Sequence, residues 1–188
     1  HSSDTLEHKL FFNNGIKYQN IFHHINFNVF KNLNFSKKYD IVIIGCISKK
    51  HYPFRYRLYK ILNKYFNTIH VDKKSSEYMI EKINQSHLGV ITPSKFNYFL
   101  QKYIEIPLCN CCPLGNLPKN NILAKELYKN DFIDIIPSMT DSQIINITKN
   151  ALKNKKLLLE KSYNIRKRSS KFNSQNYSKT LYNISNVI

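Results

Sequence analysis

The run YDIVIIGC, Tyr39 to Cys46, most limits what this chain can become. It is apolar without alternation from Ile41 to Ile44, and Gly45 follows at once. A strand with one wet face alternates polar and apolar residues. An unbroken apolar run reads instead as a strand buried on both faces, as in parallel sheets. Such a strand needs helices above and below it, and the following sequence has to supply them.

It does so repeatedly. Pro53 suits the first turn of a helix carrying Phe54, Leu58, Ile61, Leu62 and Tyr65. TIHVD (Thr68–Asp72) reads as a second strand, and Ser76–Asn84 as a helix with Met79, Ile80 and Ile83 on one face. LGVITP (Leu88–Pro93) is a third strand, Phe96–Ile106 a third helix, and CCPLG (Cys111–Gly115) a fourth strand. Ile122–Lys129 is helical, DFIDIIP (Asp131–Pro137) a fifth strand, and Thr140–Lys153 a well-capped helix. A basic helical tail, broken near Asn173, runs from Lys155 to Ile188. Alternating strands and helices with short loops predict an α/β fold: a Rossmann-like, doubly wound parallel sheet with a helical C-terminal tail.

Upstream, Asp4–Asn14 reads as a short helix closed by Gly15, and Ile16–Phe22 as a strand. Residues 1–36 are expected to connect from a preceding domain, with 37–188 forming the domain itself. The chain opens HSSDTLEHK without Met, which fits a piece beginning partway into a longer protein. That opening lacks a signal-peptide pattern, and no run of about 18 uncharged apolar residues follows. No transmembrane segment and a cytoplasmic location are expected.

The net charge of +17 invites a polyanion, but its composition argues restraint. Lysine outnumbers arginine 25 to 4, and Asn, Ile, Tyr and Phe abound, as a genome poor in G and C would produce. The lysines are also spread along the chain. The four cysteines, Cys46, Cys109, Cys111 and Cys112, lack the paired spacing of a zinc site. Mostly buried, reduced thiols are expected, with no metal and no cofactor.

Ligands of doubly wound sheets bind beyond the carboxyl ends of the strands. The loops Gly45–Tyr52, Asp72–Ser76, Thr92–Asn97 and Gly115–Asn121 therefore matter most. The first, GCISKKHYPFRYR, brings Lys49, Lys50, His51 and Arg55 to a helix start, a plausible phosphate site or simply a solvated basic loop. The loop lacks both a dinucleotide fingerprint and a P-loop. In the third, Ser94 can cap a helix whose first N–H groups point at the crevice. In that helix Asn97, Gln101 and Glu105 recur at helical spacing and would share a face. Glu105 is the only carboxylate between Glu81 and Glu126. It can accept two hydrogen bonds from a vicinal diol, or form a surface ion pair with Lys102; spacing does not separate the two.

The segment PSKFNYFLQKYIEIPLCNCCPLG, Pro93 to Gly115, resembles the donor-site segment of glycosyltransferases built from two Rossmann-like domains, the GT-B architecture. Its parts are Pro93-Ser94, the loop Phe96-Asn97-Tyr98, a helix running into Glu105, a turn at Asn110, and the apolar Cys112-Pro113-Leu114. HYPFRYRLYKIL after Gly45 is similar to the Y-P-x-R segment of bacterial and viral members. The resemblance covers about the central third of the chain. It implies that Glu105 binds the ribose of a nucleotide-sugar, and that Lys50, His51, Arg55 and Lys102 meet its diphosphate. Ser94, Asn97 and Tyr98 would form the loop at the sugar and phosphate, with the base against Val71–Ser75 or Ile91–Ser94.

The family pattern carries Glu where Asn97 stands, and commonly glycine where Leu100 and Asn110 stand. Asn tolerates the left-handed backbone that a glycine there adopts. The implied activity is metal-independent glycosyl transfer to an unknown acceptor (glycan, lipid or protein), this chain supplying the donor-binding half beside a separate or missing N-terminal domain. The alternative is a basic, non-catalytic Rossmann-like module binding nucleic acid or a protein partner, with NIRKRSSKF (Asn164–Phe172) as its basic tail.

Overall fold

In a computed structural model, β1 (Tyr39–Ile44) lies in the interior of a sheet, with Ile41 to Ile44 removed from solvent. The structure describes residues 25–119, 121–173, 178, 179 and 182. The helix over 4–14 and the strand over 16–22 expected from sequence lie outside the described residues, as does most of the tail beyond 173.

Four further strands complete the sheet: β2 (Thr68–Val71), β3 (Ser86–Ile91), β4 (Cys112–Gly115) and β5 (Ile133–Asp134). All pairings are parallel, in the order β2-β1-β3-β4-β5. The helices are α1 (Pro53–Tyr65), α2 (Ser76–Asn84), α3 (Lys102–Leu108), α4 (Ile122–Tyr128), α5 (Asp141–Lys153) and α6 (Lys155–Arg168), followed by a 3-10 turn over Ser169–Phe172. The chain thus forms the expected doubly wound α/β sheet with a helical C-terminal part.

Side chains of β1 alternate between two cores. Val42 and Ile44 pack with Ile80 and Ile83 of α2, Ile104 and Ile106 of α3, and Leu127 of α4. Ile41 and Ile43 pack with Leu58 and Leu62 of α1 and Ile144 of α5. Each fully buried side chain is worth about 1.5–3 kcal/mol, so β1 anchors both layers. α6 reaches both, giving Ile165 to the first core and Leu158 to the second. Asn84, itself buried, receives a hydrogen bond from Leu33 N at 2.8 Å and donates to Lys31 O, tying the segment before β1 to α2.

Two expected elements differ. The fifth strand shrinks to two residues, because β5 is an edge strand paired only at Leu114 and Gly115. The helix expected from Phe96 to Ile106 starts only at Lys102 and runs on through Pro107 to Leu108. Its first part is pre-empted at Asn97, whose φ of 62° is left-handed and cannot continue a right-handed helix. Asn110 takes φ 56° after the helix, the position a glycine often fills.

Pro107 has no N–H, so the carbonyl of Tyr103 four residues earlier loses its helical donor. The hydroxyl of Tyr128, from α4, donates to that carbonyl instead. Ser162 of α6 donates to Pro107 O at 3.3 Å and Cys111 O at 3.2 Å, closing the same region from a third helix. Tyr128→Phe, which keeps the ring and deletes the donor, should lower unfolding free energy by about 1–3 kcal/mol in denaturant titration.

All four cysteines are free; Cys46 is exposed and the other three are buried. Burial pushes the Cys111 thiol up to about 12 and raises Cys109 and Cys112 as well. A thiol reagent at neutral pH should therefore modify one cysteine in the native protein and four after denaturation.

Candidate functional site

The chain leaves β1 toward β2 at one side of the sheet and returns to β3 at the other, so the connections diverge between β1 and β3. In such sheets that divergence opens a crevice at the carboxyl ends. Gly45 makes the turn out of β1 with φ 84°, and Gly45 N donates to Val71 O at 2.7 Å. The loop then closes on itself: Tyr52 N donates to Ser48 O, and the Ser48 hydroxyl lies 3.1 Å from His51 Nδ1. Lys49, Lys50 and His51 are exposed on its outside.

α1 begins at Pro53 with Tyr52 as N-cap, and no side chain caps it. On its first turn Arg55 points back under the loop and is only 4 % exposed. Nη1 is 3.4 Å from Ile44 O and 3.5 Å from Cys46 O, and Nη2 is 3.3 Å from Thr92 O. These are long contacts for a charged donor. The Tyr52 ring covers the guanidinium at 4.1 Å. No carboxylate pairs with Arg55 among the described residues, whereas Arg57, Lys82, Lys102 and Arg168 each have one. Burial lowers the pKa of the Arg55 guanidinium, against the raising influence of Tyr52, Tyr103, Cys46 and Asp72. Arginine stays cationic under any such shift of ordinary size, so a buried positive charge sits here with no carboxylate in ion-pair contact among the described residues.

Among the described residues, three buried side-chain polar atoms lack a hydrogen-bond partner: Arg55 Nε, Thr92 Oγ1 and Asn116 Oδ1. Buried polar atoms are nearly always paired, so their shared position has meaning. Thr92 directly follows β3 and Asn116 directly follows β4, while Arg55 reaches the end of β1. Asn116 N donates to Ile91 O at 3.2 Å, and Tyr103 Oη donates to Asn116 O at 2.7 Å. Gly115 permits this approach: a Cβ there would lie 1.9 Å from Ile91 O. All three orphan atoms therefore lie at the carboxyl edge of the sheet, beyond the ends of β1, β3 and β4.

The stretch from Thr92 to Gln101 forms the other wall. Phe96 N donates to Ser94 Oγ and Asn97 N to Ser94 O, so Ser94 stabilises a tight turn rather than the helix cap expected of it. Lys95 N donates to His51 O at 2.9 Å, joining this wall to the first loop. Asn97 spends its amide on the fourth loop: Nδ2 donates to Lys119 O, and Lys119 N donates to Oδ1 at 2.9 Å. Phe96, 59 % exposed, stacks on Tyr98 with centroids 5.9 Å apart.

Asn97 and Glu105 do not share a helical face, since α3 starts only at Lys102. Glu105 lies inside α3 and is 4 % exposed, with Lys102 Nζ 2.6 Å from Oε2. The Lys102 pair foreseen from spacing does form, but with a buried carboxylate rather than as a surface contact. The Lys102 ammonium is thereby engaged on Glu105, unlike Lys50 and His51 on the open loop. Of the basic tail, Arg168 is tied to Asp131, Leu127 O and Tyr128 O, and Phe172 is buried.

The structure thus joins the loops bearing Lys50, His51 and Arg55 with those bearing Ser94, Asn97 and Tyr98. It adds Tyr52, Thr92 and Asn116, which sequence reasoning did not single out. Asn116 opens a loop already marked by its place after the fourth strand, and Thr92 sits at the end of the third. No group of three metal-ligating side chains occurs among the described residues. No helix among them is long and apolar enough to cross a membrane. No family model matches this sequence, and no curated protein matches it significantly.

Lys102→Ala leaves the buried Glu105 carboxylate without its ammonium and should destabilise the fold by about 3 kcal/mol. Adding Glu105→Gln should restore most of that loss in the same denaturant assay, because the stranded charge is then gone.

Proposed function

We propose that this chain is the donor-binding domain of a glycosyltransferase, holding the diphosphate of a nucleotide-sugar at the β1–β3 divergence. The observation that carries this reading is Arg55: a buried cation with no carboxylate in ion-pair contact among the described residues, its Nε unpartnered, on the first turn of a helix with no side-chain cap. A helix N-terminus and a guanidinium side by side favour a phosphate group over a neutral ligand. Thr92 Oγ1 and Asn116 Oδ1 supply further polar groups at the same edge, one able to donate and one to accept.

In the reaction so proposed, negative charge grows on the departing diphosphate as the bond to the sugar breaks. Arg55, held beneath the loop by three carbonyls and the Tyr52 ring, offsets that charge as a fixed cation, together with the dipole of the N-terminal end of α1. Lys50 and His51 flank this position from the exposed loop. Lys102 serves through Glu105, holding the carboxylate for two ribose hydroxyls rather than touching phosphate itself. The sugar lies along the loop of Ser94, Asn97 and Tyr98. Asn97 shapes that loop through Lys119 instead of binding the sugar. The acceptor and any catalytic base come from outside this domain.

Thermal stability with UDP, GDP, their sugar conjugates or pyrophosphate tests the reading. A ligand at 100 times its dissociation constant should add about 2.7 kcal/mol. That corresponds to a rise of about 5–10 °C for a chain of this size. One nucleotide should stabilise the wild type, and Arg55→Gln should abolish the effect for the nucleotide and for pyrophosphate alike. An unchanged melting temperature with every one of these ligands would overturn the proposal.

A further inference from the structure

The outward face of α6 carries a composition that neither the crevice nor the core uses. Lys155, Lys156, Leu159, Tyr163, Arg166 and Lys167 recur at helical spacing and fall within about a third of the helix circumference. Leu159 is 42 % exposed and Tyr163 53 %. The Arg166 guanidinium lies 5.3 Å from the Tyr163 ring centroid. None of the four cations has an ion pair among the described residues, and Glu160 is the one acidic residue within α6 itself. The opposite face of the helix is spent on the fold, with Leu158, Ser162 and Ile165 buried and Arg168 bound to Asp131.

We infer that this stripe docks the protein onto an anionic lipid surface. Leucine cannot bond phosphate or stack on a base, but a leucine and a tyrosine ringed by lysine suit the headgroup boundary. Lysine stems lie along such a surface while their ammonium groups stay hydrated. The fit is one of charge: four cations against a bilayer of negative headgroups, each worth roughly fivefold in affinity near the surface. Nucleic acid draws on the same cations but has no use for Leu159. A second copy of this chain would bring like charge against like. The inference stands apart from the donor-site reading, because α6 contributes none of the crevice residues.

Co-sedimentation of the full chain with vesicles of phosphatidylcholine and phosphatidylserine, against phosphatidylcholine alone, tests it. Binding is expected only to the mixed vesicles. Lys156→Glu with Lys167→Glu should weaken it at least about 25-fold, and Leu159→Ser with Tyr163→Ala should weaken it several-fold. Lys74→Glu with Lys125→Glu changes the net charge equally at exposed sites elsewhere and should leave most binding intact. Equal losses in both charge-reversed proteins would reduce the effect to overall charge and overturn the inference. So would no vesicle binding, or preferential binding of a single-stranded oligonucleotide that the α6 substitutions abolish. Thermal melting of each variant guards against unfolding as the cause, and vesicle binding lost only with loss of the fold would count against the stripe.

Discussion

Sealing β1 on both faces is the constraint from which the rest follows. Once Ile41 and Ile43 face α1 and α5 while Val42 and Ile44 face α2 and α3, the centre of the sheet has no wet surface. Backbone and side chains can then meet a ligand only where strands end. The carboxyl edge is where Arg55, Thr92 and Asn116 lie, and a charge placed there is buried by the very layers that make the core. Desolvation and stability are thus two readings of one packing. A guanidinium with no carboxylate in ion-pair contact is tolerable at that edge because three carbonyls and an aromatic face share the load.

Much of this was legible beforehand because it depends on pattern. The unbroken run from Ile41 to Ile44 reports a doubly covered strand, and Pro53 and Thr140 mark helix starts by local chemistry. The loops that build the crevice follow from topology alone, since strand ends are where crevices form. Arg55 could be placed at the loop after β1, on the first turn of α1, for the same reason.

What escaped depends on contacts between segments distant in sequence. Nothing in FNYFLQ announces that Asn97 will turn left-handed; the reason lies at Lys119, on another loop. A helical period from Phe96 to Ile106 is a fair reading of side-chain spacing, and a tertiary clamp overrides it. The depth of Glu105 was likewise invisible, because burial of α3 is decided by α4 and α6 rather than by its own neighbours. Thr92 and Asn116 are ordinary polar residues until one asks which buried atoms go unpaired.

The substitution of a tyrosine hydroxyl for a missing amide in α3 has a further consequence, for the history of the chain. Position 107 could change from proline to another small apolar residue and restore the lost donor, leaving Tyr128 with a redundant bond. Position 128 cannot change first without stranding the Tyr103 carbonyl in the core. The two sites are therefore open to replacement in one order and closed in the other. Chains descended from this one should show proline lost with tyrosine kept far more readily than tyrosine lost with proline kept.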